Sequence, residues 1–535
     1  MTQLFIVNNS SRAANYGIGT YIRQLAGCLI QRPGLKVSFI EMASNVKEYT
    51  LEEDERGCIH YRIPFMSNGM ESEKACRCSF YFLARHIISD DKDGIVFQFN
   101  YFQHLDLAVL LKSRYINSKI VFTVHYFGWC FELKGNKRKF KEIIAKSSKT
   151  EDKRDERIRK DFEYEKVFLH LCDGVMALSR DTRDILTEYY GVSQDKLHLV
   201  YNGLGSSLAL DKKKNKHKDI LFVGRLDEIK GLKYLISAFE LIAKKRADAR
   251  LIVAGDGDFQ PYLKQGRNLV GRVAFLGKMT SEELEAVYQS AYIGVMPSFH
   301  EQCSYTAIEM MRHGIPLVGT DSTGLSEMLD ANPQLRVHID EENFNEKDFT
   351  SQIASRLDLL LSDDAFYKEA SQAVCELYKE RYTATKMTQG TISVLSEGSG
   401  SIVSPDFLPH IDEKMFNLIK SRPDIDLDFF GLTGIGVYLW WRAIHVTKEK
   451  ASNENQLKAI KENLISFLDW VGEVIGADVP PNELFAMLSS MREYGFCLYK
   501  VEQILGNSKV AGEPSHTLSD QAILQNALKI ITCKI

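Results

Sequence analysis

Two acids, Glu301 and Glu309, stand eight positions apart in HEQCSYTAIEMMRHG, His300 to Gly314, among apolar and small residues. A carboxylate is costly to bury unless it is paired or hydrogen-bonded, so the pattern asks for hydroxyl or cationic partners. IGVMPS ahead of it reads as a strand, FHEQC as the loop at its carboxyl end, and YTAIEMMRH as a helix with Ser304 as N-cap and Gly314 as C-terminal cap. Glu301 then lies in the loop and Glu309 one and a half turns into the helix. The free N–H groups near Ser304, Tyr305 and Thr306 would face an anion, helped by the helix dipole. One site would offer two carboxylates to hydroxyls and an amide cluster to phosphate. The competing reading is a helix whose acids face solvent.

A second group is FVGRLDEIKGL, Phe222 to Leu232, where Arg225 and Lys230 are five apart across a short loop after a strand. Arginine brings a fork and lysine a mobile point charge, a set suited to a diphosphate. NYGIGTYI, Asn15 to Ile22, carries Gly17 and Gly19 ahead of a helix, where the backbone can approach a phosphate. A nicotinamide-dinucleotide fingerprint competes for this stretch, supported by Glu41 at the end of a second strand. Against it, Ile22 occupies the place of the third glycine and the glycines sit well beyond the strand. Finally, His125 ends the apolar strand VFTVH and is placed to bond a substrate hydroxyl or share a developing charge; a structural histidine is the alternative.

Positioning these residues requires parallel sheets. Strands are expected at Leu4–Val7, Val37–Glu41, Ile95–Phe99, Ile120–His125, Gly174–Leu178 and Leu197–Tyr201, then at Ile220–Val223, Arg250–Ala254, Val273–Leu276, Ile293–Met296 and Pro316–Gly319. Helices such as Thr20–Gln31, Arg180–Tyr190, Leu232–Lys244 and Ser281–Ser290 fill the gaps. Strand–helix alternation predicts two doubly wound α/β domains, 1–205 and 206–397, with ligands at the carboxyl ends of the strands. The charge run from Leu210 to Lys218 marks the boundary between them. Long helices at Phe366–Tyr382 and Thr385–Glu397 close the second domain, and the final one is placed to cross back to the first. GSGSIVSPD then reads as a linker, and 407–535 as an all-helical accessory domain.

The 535 residues exceed one hydrophobic core, and 44% hydrophobic with 26% charged residues exclude a disordered or fibrous chain. A net charge of −4 gives no global attraction to nucleic acid. The start, MTQLFIVNNSS, reads as a buried strand rather than a signal peptide, and no apolar run is long enough to span a membrane. The ten cysteines are scattered and read as reduced thiols of a cytoplasmic protein. Cys76 and Cys78 form a C-x-C pair without the second pair that a zinc site needs.

Taken together, Gly224-Arg225-Leu226 through Lys230-Gly231, Glu301 with Glu309, Gly17 with Gly19, and His125 resemble the retaining glycosyltransferases of the GT-B fold, glycosyltransferase family 4. VYNGLG, Val200 to Gly205, is similar to that family's crossing between domains, and VAGDGD, Val253 to Asp258, to its turn near the nucleotide. The resemblance covers about residues 1–395. It implies transfer of a sugar from a nucleotide-diphosphate donor such as a UDP- or GDP-sugar, with retained configuration and no metal or other cofactor. It also implies roles for individual residues. Arg225 and Lys230 would hold the diphosphate. Glu309 would bond the ribose. Glu301 and the backbone of Cys303, Ser304, Tyr305 and Thr306 would grip the sugar and distal phosphate. Gly17 and Gly19 would let the first domain close on that phosphate, Gly255 and Met279 would line the nucleotide, and His125 would touch the sugar. Many members carry glycines after the first glutamate; Gln302 to Tyr305 depart from this, which puts the donor sugar in doubt. The acceptor is a glycan, a lipid-linked group or a peptide.

Residues 134–160 hold twelve Lys or Arg against five Asp or Glu. With Phe140, Ile143 and Ile144 at helical spacing, the stretch reads as a peripheral membrane contact, a docking surface for an acidic peptide, or a solvated helix. In the tail, GLTGIG resembles one helix start of the lanthionine cyclases, but there is a single copy and no zinc-ligand set. A fold kept for binding without turnover, and an NAD-dependent enzyme, remain as alternative functions.

Overall fold

The computed structural model describes residues 2–10, 17–47, 49–65, 79–80, 83, 86–87, 94–115, 118–146, 152–205 and 217–396. The expected helical domain at 407–535, the C-x-C pair and most of the charge run at 210–218 lie outside the described residues.

The N-terminal domain comprises β1 (Thr2–Asn9), α1 (Gly17–Leu29), β2 (Leu35–Ser44), β3 (Thr50–Glu53), β4 (Ile59–Pro64), β5 (Gly94–Phe99), α2 (Leu105–Arg114), β6 (Lys119–Val124), α3 (Gly128–Glu132), α4 (Lys137–Ala145), α5 (Lys153–Leu171), β7 (Gly174–Ala177), α6 (Arg180–Glu188) and β8 (Leu197–Leu199). Its eight strands run in the order β3-β4-β2-β1-β5-β6-β7-β8. Every pairing is parallel except β3 with β4. The C-terminal domain comprises β9 (Lys218–Val223), α7 (Leu232–Ala243), β10 (Ala249–Ala254), α8 (Gln260–Gln265), β11 (Val273–Gly277), α9 (Ser281–Ser290), β12 (Ile293–Met296), α10 (Tyr305–Arg312), β13 (Leu317–Thr320), α11 (Leu325–Met328), β14 (Arg336–Val337), α12 (Glu346–Ser362), α13 (Asp364–Arg381) and α14 (Ala384–Ser396). Its sheet has the order β11-β10-β9-β12-β13-β14 and is parallel throughout. The two doubly wound domains expected from the alternation are both present, with the added β3–β4 edge hairpin and the two-residue β14.

The strands are apolar on both faces because each sheet is covered on both sides. In β1, Leu4 and Ile6 pack into one core cluster while Phe5 and Val7 pack into another, as a period of two dictates. In β9, Leu221 faces one core and Ile220 and Phe222 the other. The cluster containing Leu4 and Ile6 also contains Leu204, Leu221, Ile308, Tyr382 and Val394. One apolar layer is therefore continuous through both domains.

The domains are joined by two passages of chain lying side by side. Leu204 N–H donates to the Tyr382 carbonyl at 3.0 Å, and Ala384 N–H donates to the Leu204 carbonyl at 2.7 Å. Gly203 is required there because a Cβ would stand 2.2 Å from the Thr383 carbonyl oxygen. After this crossing α14 returns to the first domain and packs on α1 and β7, with Lys119 Nζ donating to the Leu395 carbonyl at 3.1 Å. Buried Glu327 braces the same junction. It accepts from Arg180 N–H at 2.7 Å, Arg180 Nε at 2.8 Å and the Tyr201 hydroxyl at 2.8 Å.

The basic stretch is built into this scaffold. Phe140 and Ile143 of α4 are buried in the first domain's core, with Ile144 packed partly buried against it, so the apolar stripe on which the membrane-contact reading rests is covered by protein. Lys134 pairs with Glu228, Lys137 with Asp181, Arg138 with Glu342, and Arg157 with Glu132. Beneath it, Glu165 accepts from Gly128 N–H at 2.9 Å and from the Tyr190 hydroxyl at 2.5 Å. Burial pushes its carboxyl up to about 7.

Two outcomes follow. Gly203→Ala should destabilise the chain by about 1–3 kcal/mol through overpacking against Thr383, read as a lowered urea midpoint. For Glu165 the folded pKa is raised, so its contribution is complete below about pH 4.5 and is lost as pH rises through about 7. Between these values wild type should lose on the order of 3 kcal/mol relative to Glu165→Gln, measured by unfolding both proteins across the range; parallel curves would refute the assignment.

Candidate functional site

The carboxyl ends of the central strands of both sheets face one another across a cavity of 360 Å³. On the C-terminal side it is built by the loops after β9, β10 and β12. Arg225 follows β9, and Lys230 lies just before Gly231, whose φ of 70° and contact with Pro297 (a Cβ would stand 2.1 Å from its carbonyl oxygen) exclude other residues. Gly255 after β10 has φ 151°, and a Cβ there would meet the Gly224 carbonyl oxygen at 1.7 Å. These two close approaches bring the loops after β9, β10 and β12 into one wall. On the N-terminal side stand the start of α1 and His125 at the end of β6.

The cavity brings together nearly every residue expected from sequence. Glu301, His125, Arg225, Lys230, Gly17, Gly255, Met279, Cys303, Ser304, Tyr305, Thr306 and Glu309 all line it. Gly19 does not. The described helix already includes the Gly-x-Gly pair, so Gly19 is turned inward and buried while Gly17, Thr20 and Arg23 face the space. Helix phase decides this, and two glycines in a sequence do not reveal it. The same placement disfavours the dinucleotide fingerprint, which needs its glycines in a tight turn directly off the strand; β1 ends at Asn9 and the pair lies at 17 and 19.

The central ion pair was not foreseen. Lys230 Nζ donates to Glu301 Oε1 at 2.5 Å, with the carboxylate side chain 10% and the ammonium side chain 20% exposed. The acid and the cation expected to grip sugar and diphosphate separately hold each other. Thr323 fixes the backbone beneath: its Oγ1 accepts from Glu301 N–H at 3.0 Å and donates to the Glu301 carbonyl at 2.5 Å. Arg225 leans on Asp227 at 3.2 Å. Glu309 accepts from the Tyr288 hydroxyl at 2.6 Å, and burial holds its carboxyl above the usual carboxylate range. Ser304 is the N-cap residue of α10, but its side chain accepts no capping bond, so the helix N-terminus faces the cavity without an internal acceptor from that hydroxyl.

His125 is held rigidly. Nε2 lies 2.9 Å from Asn100 Oδ1, and Asn100 Nδ2 in turn donates to the Val7 carbonyl at 3.0 Å. That orientation makes Nε2 the protonated nitrogen and leaves Nδ1 as acceptor. Tyr21 packs edge-on with ring centroids 4.7 Å apart, tied through Gln98 to Thr123. Burial pulls the imidazole down to about 3, so it is neutral at physiological pH. A neutral ring of this kind can accept a hydrogen bond from a hydroxyl through Nδ1.

Several wall residues escaped the sequence reading: Thr20, Arg23, Asn202 and Lys278 line the cavity. Arg23 lies one turn after Thr20 and bonds its hydroxyl at 3.0 Å; that spacing was the available signal. Gln302, with its amide nitrogen turned toward β6, donates to the carbonyls of Val124 at 2.5 Å and His125 at 3.2 Å. Asn202 Nδ2 donates to the Cys303 carbonyl at 2.7 Å. The stretch that departs from the family pattern therefore ties the donor-side loop to the opposite domain.

A profile of the family "Glycosyltransferase Family 4" matches residues 16–206, and one of "Glycosyl transferases group 1" matches residues 217–363. The chain belongs to the group 1 glycosyltransferases of the GT-B fold. An uncharacterized glycosyltransferase of Methanocaldococcus jannaschii is 33% identical over 172 residues, covering 29% of this chain and 44% of the relative. Mannosylfructose-phosphate synthase of Agrobacterium fabrum is 29% identical over 185 residues, covering 30% and 41%. The match thus spans less than half the length of these curated relatives. Sucrose-phosphate synthase from Thermosynechococcus elongatus shares the fold at TM-score 0.57 and 18% identity, over 74% of this chain and 100% of that one. Alpha,alpha-trehalose 6-phosphate synthase from Burkholderia multivorans shares it at 0.53 and 14%, over 74% and 98%. Among the described residues no group of three or more His, Cys, Asp or Glu is placed to hold a metal, and no helix is long and apolar enough to cross a membrane.

The geometry at His125 gives a direct test. Nitrogen NMR of the imidazole should show one protonated Nε2, a bare Nδ1 and no titration between pH 5 and 8. A midpoint inside that range would overturn the neutral assignment.

Proposed function

We propose that this glycosyltransferase moves a sugar from a nucleotide-diphosphate donor to an acceptor hydroxyl with retention of configuration. The observation that carries the reading is the convergence of Arg225, Lys230, Glu301, Glu309 and the α10 N-terminus on one cavity between two facing sheets. A diphosphate needs concentrated positive charge. Arg225, Lys230 and the free N–H groups of α10 supply it from three directions. Glu309, positioned by Tyr288, accepts from the ribose hydroxyls. Once the diphosphate takes Lys230, Glu301 is released to accept from the donor sugar's hydroxyls. The nucleotide is a UDP- or GDP-type donor, with Gly255 and Met279 beside its base and ribose.

In the chemical step the bond from the anomeric carbon to the phosphate oxygen breaks, and a bond to the acceptor oxygen forms on the same face. The acceptor's proton passes to the departing phosphate oxygen. The charge left on the diphosphate is met by Arg225, Lys230 and the α10 amides, an electrostatic arrangement that takes the place of a metal ion. His125 Nδ1 accepts from a sugar hydroxyl and orients the ring; with a pKa near 3 it takes up no proton in the step.

Retained binding without turnover is the second reading. The Lys230–Glu301 pair favours it to the extent that a bound donor must break this bond. Release of nucleoside diphosphate from UDP- and GDP-sugars separates the two. Lys230→Ala and Glu301→Ala should each lower that release by about 10²–10³-fold, with the fold intact by circular dichroism. Unchanged release in both would sink the site assignment, and no release by wild type across the donors would favour the binding protein.

A further inference from the structure

The turn between β13 and α11 carries two attachments that face opposite ways. On one side it holds the segment bearing Glu301. Thr323 Oγ1 accepts from Glu301 N–H at 3.0 Å and donates to the Glu301 carbonyl at 2.5 Å, and Gly324 N–H donates to the same carbonyl at 2.8 Å. On the other side α11 reaches the first domain and the crossing. Glu327, 6% exposed, accepts from Arg180 N–H, Arg180 Nε and the Tyr201 hydroxyl at 2.7–2.8 Å. Gly324 and Glu327 are less than one helical turn apart. Glu327 itself does not line the donor cavity.

Gly324 is wedged between the two sides. Its φ of −67° suits any residue, yet a Cβ there would stand 1.7 Å from the Gln302 carbonyl oxygen and 2.8 Å from the Ser179 Cβ. Ser179 is the N-cap of α6, directly before Arg180. One backbone position thus touches both the donor-side loop and the start of a first-domain helix. The far end of α11 is fixed as well. Asp330 accepts from Arg336 Nη2 and Arg381 Nη1, each at 2.8 Å, and pairs with Arg180. Arg381 precedes Tyr382, whose carbonyl accepts from Leu204 N–H at the crossing. Close-packed groups without slack pass a displacement on rather than absorb it. A shift of α6 against α11 therefore reaches the Glu301 carbonyl through Gly324 and Thr323.

We propose that Glu327 is a positioning residue. Through Gly324 and Thr323 it sets the placement of Glu301, so that the grip on the donor sugar depends on contact between the two domains at Arg180. The proposal rests on the transferase reading, in which Glu301 accepts from the sugar's hydroxyls. It adds a residue outside the cavity that controls this acid. A bare nucleotide, held by Arg225, Lys230 and Glu309, does not call on Glu301, so its binding is independent of the contact at Arg180.

Hydrogen exchange on the full chain reads the coupling without any ligand. In Glu327→Ala the amides of residues 299–304 should exchange about tenfold faster than in wild type, while those of β9, in the same domain, keep their rate. Glu327→Gln, whose amide oxygen can still accept from Arg180, should restore most of the protection. Titrations of UDP, GDP, UDP-glucose and GDP-mannose read the function. The affinity of a nucleotide sugar relative to its bare nucleotide should fall about tenfold in Glu327→Ala and in Arg180→Ala, and the double variant should be no worse than either. Bare nucleotide should not weaken in any of them. Unchanged exchange at 299–304 in Glu327→Ala overturns the coupling. Faster exchange with an unchanged affinity ratio overturns the positioning role, as does an equal loss of nucleotide and nucleotide sugar. Failure of both UDP and GDP to bind wild type overturns the transferase reading and the role with it, while exchange still decides the coupling.

Discussion

Two backbone hydrogen bonds at Leu204 decide where the two sheets face each other. They lock the outward passage of the chain at 202–205 against its return at 382–384, with Gly203 and Thr383 in direct backbone contact. Because both passages are fixed, the apolar layer through Leu221, Ile308 and Tyr382 closes over the junction without a break. The strand ends that carry Arg225, Glu301 and His125 are then opposed across a narrow space. Strand-end loops become a site in this fold only through that opposition, since neither sheet alone supplies cations, carboxylates and the imidazole together.

The charges inside show how the site settles ions it cannot leave unpaired. A buried carboxylate beside no partner is strongly penalised, and Lys230 is the cation that pairs with Glu301. The resulting pair resolves the tension in the sequence, where two acids stood among core-like residues. Glu309 resolves it differently, through Tyr288 and a raised pKa. The two acids are thus held in different ways, one by a lysine ammonium and one by a buried tyrosine hydroxyl.

Much of this was legible in the sequence. The long apolar strands and their helices follow from periodicity, since burial on both faces leaves little room for polar residues. Arg225, Lys230 and Glu309 were readable because the strand–loop–helix context around each is local. What was not legible depends on distance or phase. The Lys230–Glu301 pair joins residues 71 apart. Gly19 is turned inward by the phase of α1, and Arg23 outward by the same phase. The β3–β4 hairpin was missed because TLEE exposes three of its four residues, which reads as loop until IHYRIP is seen to pair with it. In the basic stretch, composition suggested a free surface, but Phe140 and Ile143 are spent on the first domain's own core.

The return of α14 has a consequence for motion. Although its sequence follows the second domain, its last turn is anchored on the first, through Leu395 to Lys119 and Val394 against Gly174. The helix therefore moves as part of the first domain. In a rotation about the crossing at Leu204, α14 would travel with His125 and α1, while Arg225 and Glu309 shift relative to it.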